Sequence, residues 1–108
     1  MKRGDFYRVH KGDKYDPKDY RVYLVVSRQL LIDTQFNSVI CAPVHTKYED
    51  LPTQVDVGAD EGLKHDSAIY CDYLASIPKH LLSNFVSSLS DAKMQEVNAA
   101  LRIALAVE

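Results

Sequence analysis

The sequence predicts a mainly β protein, a small antiparallel barrel or curled sheet that is capped by one C-terminal helix. Short apolar runs rich in Val, Ile and Tyr recur between residues 6 and 78, and polar turns containing Gly or Pro separate them. An amphipathic helical pattern follows Ser90. Because 108 residues can enclose one core, we expect a single domain over residues 1–108.

The first two predicted strands flank a polar loop. Residues 6–10 combine aromatic and β-branched side chains, and residues 11–19 contain Gly and Pro as breakers of regular structure. Residues 20–27 are almost continuously apolar, which predicts a central strand that is covered on both faces. Arg21 lies at the start of this strand, directly after the loop.

The third predicted strand covers residues 39–44. It follows residues 28–36, which are compatible with either a short helix or an irregular crossover. Pro43 has no amide hydrogen to donate to a neighbouring strand, so we expect this end of the strand at a sheet edge or a bulge. His45, Thr46 and Lys47 follow immediately at its exit.

Three further strands are predicted before the C-terminal region. Residues 53–58 alternate between apolar and polar with period two, residues 66–72 form a second run, and residues 75–78 form a short edge segment. Residues 79–86 fit either a short helix or a strand, and the sequence does not decide between them.

The C-terminal helix begins at a predicted cap. The Ser90 hydroxyl can accept hydrogen bonds from free backbone amides, and the Asp91 carboxylate suits the positive end of the helix dipole. One apolar stripe follows at steps of three and four residues: Met94, Val97, Leu101 and Ala104. Ile103 and Val107 lie off this stripe and form a second apolar patch, for which a subunit contact and burial in the core are equally plausible.

Composition and charge narrow the class of protein. No apolar run approaches the roughly 20 residues that cross a bilayer, and the charged N-terminus is not followed by a stretch of signal-peptide length. We therefore expect a cytoplasmic protein with no membrane partner. The net charge is −2, but residues 1–28 carry eight Lys/Arg and four Asp, whereas the rest carries five Lys/Arg and eleven Asp/Glu. The basic N-terminal quarter is either an anion-attracting surface or an ordinary solvated face.

Several familiar sites are missing from the sequence. The four glycines are scattered, which excludes a phosphate-binding loop, and the four histidines lack metal-ligand spacing. We therefore expect no metal and no cofactor. Cys41 and Cys71 lie in apolar runs, where cysteine usually behaves as a small buried hydrophobe. His65, Asp66 and Ser67 are adjacent in a strand and would point to opposite faces, so local hydrogen bonding is a better interpretation than a catalytic triad.

Arg21 and the His45-Thr46 pair are the best candidates for chemistry, because each lies where a rigid strand meets a polar loop. Metal-free RNA cleavage needs a group that handles protons and donors that stabilise the charge on the phosphorane. Arginine matches phosphate oxygens but gives up its proton poorly, whereas histidine titrates near neutral pH. From residue types alone, His45 and His10 could share acid–base duty, and surface roles for all of these residues remain open.

Six segments, in this order and spacing, resemble the MazF/PemK growth-inhibitor toxins across essentially the whole chain. They are KRGDFY at residues 2–7, RVYLVVS at 21–27, VICAPV at 39–44, LPTQV at 51–55, GLKHDSAI at 62–69 and LRIAL at 101–105. The resemblance implies an SH3-like barrel of the MazF/CcdB type and a homodimer. It also implies a toxin–antitoxin function in which single-stranded mRNA is cleaved at short sequence motifs, leaving 2′,3′-cyclic phosphate and 5′-hydroxyl ends, and in which a flexible acidic segment of a cognate antitoxin covers the RNA groove.

The same resemblance assigns site residues. The catalytic arginine of the family corresponds to Arg21. Its catalytic Ser/Thr corresponds to Thr46 if the alignment is allowed to shift by one residue, or to His45 if the strands are aligned strictly. The proline that usually follows the arginine is Val22 here. Candidate RNA contacts complete the set: Lys11, Lys14, Lys18, Ser27, Arg28 and Lys47. Two alternatives remain open, a non-enzymatic toxin that binds gyrase like CcdB and an inactive interaction module.

Overall fold

The computed structural model describes residues 1–12 and 19–108. Within these ranges the strands are β1 Asp5–His10, β2 Tyr20–Val25, β3 Ser38–His45, β4 Gln54–Val57, β5 Ser67–Tyr70, β6 Ala75–Pro78 and β7 Asn84–Ser88. The α-helices are α1 Gln29–Ile32 and α2 Asp91–Leu105, and three-residue 3₁₀ turns occur at Ala59–Glu61, Cys71–Tyr73 and Lys79–Leu81. Residues 28–36 thus contain a one-turn helix, and residues 79–86 contain a 3₁₀ turn and the start of β7.

The described strands form one curled antiparallel sheet in the order β4-β5-β3-β2-β1-β7. β3 changes partners along its length. On the side away from β2, Ser38–Cys41 pair with β6, and Val44–His45 pair with β5. The predicted small antiparallel β fold with a C-terminal helix is therefore confirmed.

Pro43, which the sequence places at a sheet edge or a bulge, does not lie on an edge strand of the described sheet. β3 lies in the interior of the sheet, and Pro43 is paired with Tyr23 of β2. On the other side of β3, the pairing with β6 ends at Cys41 and the pairing with β5 begins at Val44. The proline therefore lies in the gap between two partner strands, where a missing amide hydrogen interrupts neither ladder.

Alternate residues of the strands face two apolar clusters. Phe6 and Leu24 are fully buried in the larger cluster together with residues of α2, whereas Val25 belongs to the smaller cluster, which includes Ile32 of α1. The prediction that β2 is covered on both faces along its length is wrong, because Tyr20–Tyr23 are only half-buried. This uncovered first half of the strand leaves Arg21 accessible.

α2 follows its predicted pattern closely. Ser90 accepts a hydrogen bond from the Lys93 amide at 3.2 Å, so it caps the helix as expected. The stripe packs on the larger cluster, with Val97 fully buried at its centre. Ile103 and Val107 are 54% and 56% exposed, so neither is buried in the core of this chain. In the described part of the chain, no helix has the length and apolar character needed to cross a membrane.

Candidate active site

Strand register brings Arg21 and His45 together. Tyr23 of β2 lies opposite Pro43 of β3, so a count of two residues outward on each antiparallel strand places Arg21 opposite His45. The Arg21 guanidinium donates from Nη1 to the Val44 carbonyl at 3.1 Å and meets His45 Nδ1 at 2.8 Å. The two candidate catalytic residues that the sequence separates by 24 positions are therefore in direct contact.

This contact fixes the protonation state of His45. A guanidinium can only donate hydrogen bonds, so His45 Nδ1 must carry a lone pair and the ring hydrogen must lie on Nε2. The pKa of His45 is lowered from its ordinary value of 6.5, first by burial and then by the positive charges of Arg21 and Lys11. At neutral pH the ring is therefore uncharged, and its one lone pair, on Nδ1, accepts the hydrogen bond from Arg21.

Arg21 and His45 lie in a groove of about 750 Å³. Thr46 and Lys47 also line it, and both are exposed. The structure thus brings together four residues that the sequence analysis selected. Other described residues complete the lining: Arg8, Tyr20, Val22, Val44, Gly62, Leu63, Lys64, His65, Ser67, Tyr70, Tyr73, Phe85 and Val86.

Among the described residues, three other predicted RNA contacts do not line this groove: Lys11, Ser27 and Arg28. Ser27 is 5% exposed, and its hydroxyl accepts a hydrogen bond from the Ile40 amide at 2.6 Å. The prediction that Ser27 contacts RNA is therefore wrong, because this hydroxyl ties β2 to β3 inside the protein. Arg28 is exposed beside α1, outside the groove. Lys11 is exposed and lies 3.8 Å from Asp19.

The other sequence candidates are two lysines and one histidine. Lys14 and Lys18 lie outside the described residues. His10, which residue type alone made a candidate partner for His45, is exposed at the end of β1 and is not among the residues that line the groove. His45 is therefore the histidine that contacts Arg21.

An aromatic cluster that the sequence analysis missed surrounds His45. The His45 and Tyr70 ring centroids are 4.6 Å apart, and Tyr73 meets His45 edge-on at 6.0 Å. The Tyr70 hydroxyl donates to the Lys47 carbonyl and lies 3.3 Å from a carboxylate oxygen of Glu49. Burial and the Glu49 charge raise the pKa of Tyr70, so it remains a neutral hydrogen-bond donor.

A second arginine that the sequence analysis did not select also lines the groove. Arg8 of β1 packs over Tyr20 of β2, with its guanidinium carbon 5.5 Å from the ring centroid. Such a stacked guanidinium is held in place without losing its charge. The groove therefore receives a positive side chain from each of two neighbouring strands.

Ser67 forms a local hydrogen bond, as predicted for the start of a strand. Its hydroxyl donates to the His65 carbonyl at 2.8 Å, rather than to a histidine ring. Among the described residues, no group of three or more His, Cys, Asp or Glu side chains is arranged to hold a metal ion. Cys41 and Cys71 are buried, and burial raises the pKa of their thiols to about 12 and about 11.

Comparison with known proteins identifies the family. Residues 2–105 match the PemK-like, MazF-like toxins of type II toxin–antitoxin systems. The chain belongs to this family. It is 30% identical over 111 residues to endoribonuclease EndoA of Bacillus subtilis (strain 168), a match that covers 99% of this chain and 96% of the relative.

Solved structures of a MazF toxin and of a mycobacterial endoribonuclease share the fold of this MazF/PemK-like chain. Mycobacterium tuberculosis toxin MazF-mt6 superposes with a TM-score of 0.82 at 22% identity, covering 96% of this chain and 98% of that one. A mycobacterial endoribonuclease in complex with its cognate antitoxin gives a TM-score of 0.84 at 23% identity, covering 100% and 97%. At this identity the likeness shows the fold.

The resemblance assigns the second catalytic position of this family member to either His45 or Thr46. His45 contacts Arg21 and is neutral, whereas Thr46 is the next residue along the chain and is exposed on the groove. The two side chains are thus suited to different tasks. An imidazole can take up a proton, and a hydroxyl can donate a hydrogen bond to a phosphate oxygen.

Proposed function

We propose that this MazF/PemK-like protein is the toxin of a type II toxin–antitoxin system and a sequence-specific endoribonuclease. It cleaves single-stranded mRNA without a metal and leaves 2′,3′-cyclic phosphate and 5′-hydroxyl ends. The observation that carries this proposal is the contact of Arg21 Nη1 with His45 Nδ1 in an open groove. EndoA, named an endoribonuclease and matched along almost the whole chain, supports the same activity.

The reaction requires two kinds of group, and Arg21 and His45 supply one each. The 2′-oxygen of the RNA attacks the adjacent phosphorus while the bond from phosphorus to the 5′-oxygen breaks. Arg21 stabilises the negative charge that builds up on the phosphoryl oxygens. Because a charged guanidinium has no lone pair that can accept a proton, we assign proton uptake to His45, and the departing 5′-oxygen takes its proton from water or from Arg21.

The resting contact suggests how His45 becomes available. In the absence of RNA, Arg21 occupies the lone pair of His45 Nδ1. A phosphate oxygen is a stronger partner for a guanidinium than a neutral ring nitrogen, because it carries a negative charge. When Arg21 turns toward the phosphate, Nδ1 is free to accept the proton of the 2′-hydroxyl.

Thr46 and Lys47 are placed to bind the RNA backbone. Both are exposed, line the groove and follow His45 directly. We assign the Thr46 hydroxyl to the scissile phosphate and the Lys47 ammonium to a neighbouring one. Lys11, Lys14, Lys18 and Arg28 are proposed to contact more distant phosphates, so RNA affinity should fall as salt increases.

The proposal includes partners and a location. We propose a cytoplasmic homodimer that a cognate antitoxin neutralises by laying a flexible acidic segment over the RNA groove. The positive side chains of Arg8, Arg21 and Lys47 in the groove support an acidic ligand. Solved relatives also support an antitoxin partner, since they include a MazE–MazF complex from Deinococcus radiodurans.

The test is to incubate the pure protein with a mixed-sequence RNA in the presence of EDTA and to sequence the new ends. We expect cuts at a short recurring motif, with cyclic phosphate on one fragment and a 5′-hydroxyl on the other. Cleavage that stops when EDTA is added would contradict the metal-independent mechanism. An absence of cleavage, together with binding to a topoisomerase subunit, would favour the CcdB-like alternative.

A further inference from the structure

Tyr73 is a large aromatic side chain that the proposed reaction does not use. It ends the 3₁₀ turn Cys71–Tyr73 after β5, lines the groove and is 60% exposed. Its ring lies edge-on to His45, with centroids 6.0 Å apart and planes at 90°. An aromatic surface in contact with the solvent therefore stands directly beside the proton-accepting ring.

The neighbours of Tyr73 hold it in this position. Its ring centroid is 5.4 Å from that of Tyr70, which is 8% exposed and packs against His45 with the two rings tilted by 56°. The Tyr70 hydroxyl is anchored to the Lys47 carbonyl, so the partner ring is fixed by both packing and a hydrogen bond. Tyr73 is thus supported from within the protein, and its exposed area is available to a ligand.

We propose that Tyr73 stacks on the base of the nucleotide whose 2′-hydroxyl attacks the phosphorus, an inference that rests on the proposed function. His45 must meet that hydroxyl, and the base belongs to the same nucleotide, so it lies within reach of a ring that contacts His45. Proteins hold unpaired bases by stacking them on exposed aromatic rings. Tyr73 is then a positioning residue, which holds the ribose so that its hydroxyl faces His45.

The first experiment measures stacking directly. The probe is a single-stranded 2′-O-methyl RNA, which cannot be cut, with 2-aminopurine moved along its positions. We expect the protein to quench the fluorescence strongly at one position. Tyr73→Ala should abolish this quenching and raise the Kd about 10- to 100-fold, whereas Tyr73→Phe should retain both. Tyr48→Ala is the matched control, since Tyr48 is 43% exposed and does not line the groove.

The second experiment uses cleavable RNA and separates this proposal from the proposed function. Tyr73→Ala should raise KM about tenfold or more, and Tyr73→Phe should restore the wild-type KM. Cleavage by Tyr73→Ala with an unchanged KM would overturn the stacking proposal alone, whereas no cleavage by the wild type would contradict the proposed function. A change in oligomeric state of Tyr73→Ala would also overturn the proposal, because Tyr73 would then belong to a subunit contact.

Discussion

The Arg21 guanidinium donates to Nδ1 of His45 at 2.8 Å, across two neighbouring antiparallel strands. This hydrogen bond influences the charge state of His45 and the orientation of Arg21. Arg21 helps to keep His45 uncharged, and His45 together with the Val44 carbonyl orients Arg21. The two side chains therefore act as one unit in the proposed reaction.

His45→Gln should reduce the cleavage rate about 100- to 10,000-fold, the range that a general acid–base group contributes. Glutamine keeps an oxygen that can accept from Arg21, but it cannot take up a proton at neutral pH. The measurement is single-turnover cleavage of one RNA substrate under saturating enzyme. A variant that cuts at the wild-type rate would remove His45 from the mechanism and leave Thr46 as the second catalytic position.

Thr46→Val should weaken substrate binding more than it slows the chemical step. Valine has nearly the shape of threonine but no hydroxyl, so one hydrogen bond to a charged phosphate is lost. Such a bond contributes about 1.5–3 kcal/mol, or roughly a 10- to 150-fold loss in kcat/KM. Steady-state kinetics separates the two parameters. A loss in kcat as large as that of His45→Gln would contradict the binding role and show that Thr46 also acts in the chemical step.

The protein should lose its cleavage activity only at acid pH. His45 acts as a base when it is neutral, and its pKa lies below 6.5 because burial, Arg21 and Lys11 disfavour the charged ring. The kcat/KM should therefore be flat around pH 7 and fall as the pH drops through this lowered pKa. Lys11→Gln removes one of the positive charges, so its acid limb should move toward higher pH.

The lowered pKa of His45 also predicts that the free energy of unfolding depends on pH. In the unfolded chain His45 has its ordinary pKa of 6.5, and in the folded protein the pKa is lower, so protonation favours unfolding. This contribution to the unfolding free energy is fully present above pH 6.5 and is lost as the pH falls through the folded pKa. NMR titration of the His45 ring checks the direction, and a midpoint above 6.5 would contradict both predictions.

Val97→Ala should lower the free energy of unfolding by about 2 kcal/mol, because it removes buried methyl groups from the cluster between α2 and the sheet. Val97 is fully buried, whereas Val107, two residues beyond α2, is 56% exposed. Val107→Ala is therefore the matched control and should change stability by less than about 0.5 kcal/mol. Denaturant unfolding of both variants provides the measurement. Equal losses would contradict the assignment of the buried stripe.

Much of the fold and part of the site follow from local patterns. Hydrophobic periodicity and the Ser90 cap depend on neighbouring residues, so the strands and α2 could be predicted closely. Arg21 and His45 could be selected because each lies where a strand meets a loop. Ser27 was misassigned because its position after an apolar run does not reveal that its hydroxyl bonds to Ile40.

The rest of the site depends on long-range pairing that the sequence does not display. The change of partners along β3 makes Pro43 compatible with an interior strand. The sequence predicts Cys71 and Asp72 as the end of a strand, but they form a 3₁₀ turn with Tyr73. This turn places Tyr73 in the groove beside His45, which is 28 positions away in the sequence. Only the register shows that Arg21 lies opposite His45.

The most direct test of the account is the single-turnover cleavage rate of Arg21→Ala in EDTA, compared with Arg102→Ala. Arg102 is an exposed arginine near the end of α2, outside the groove, so its loss controls for the charge removed. We predict that Arg21→Ala slows cleavage at least about 100-fold with an unchanged circular dichroism spectrum, while Arg102→Ala cuts normally. Cleavage by folded Arg21→Ala at the wild-type rate would contradict the account.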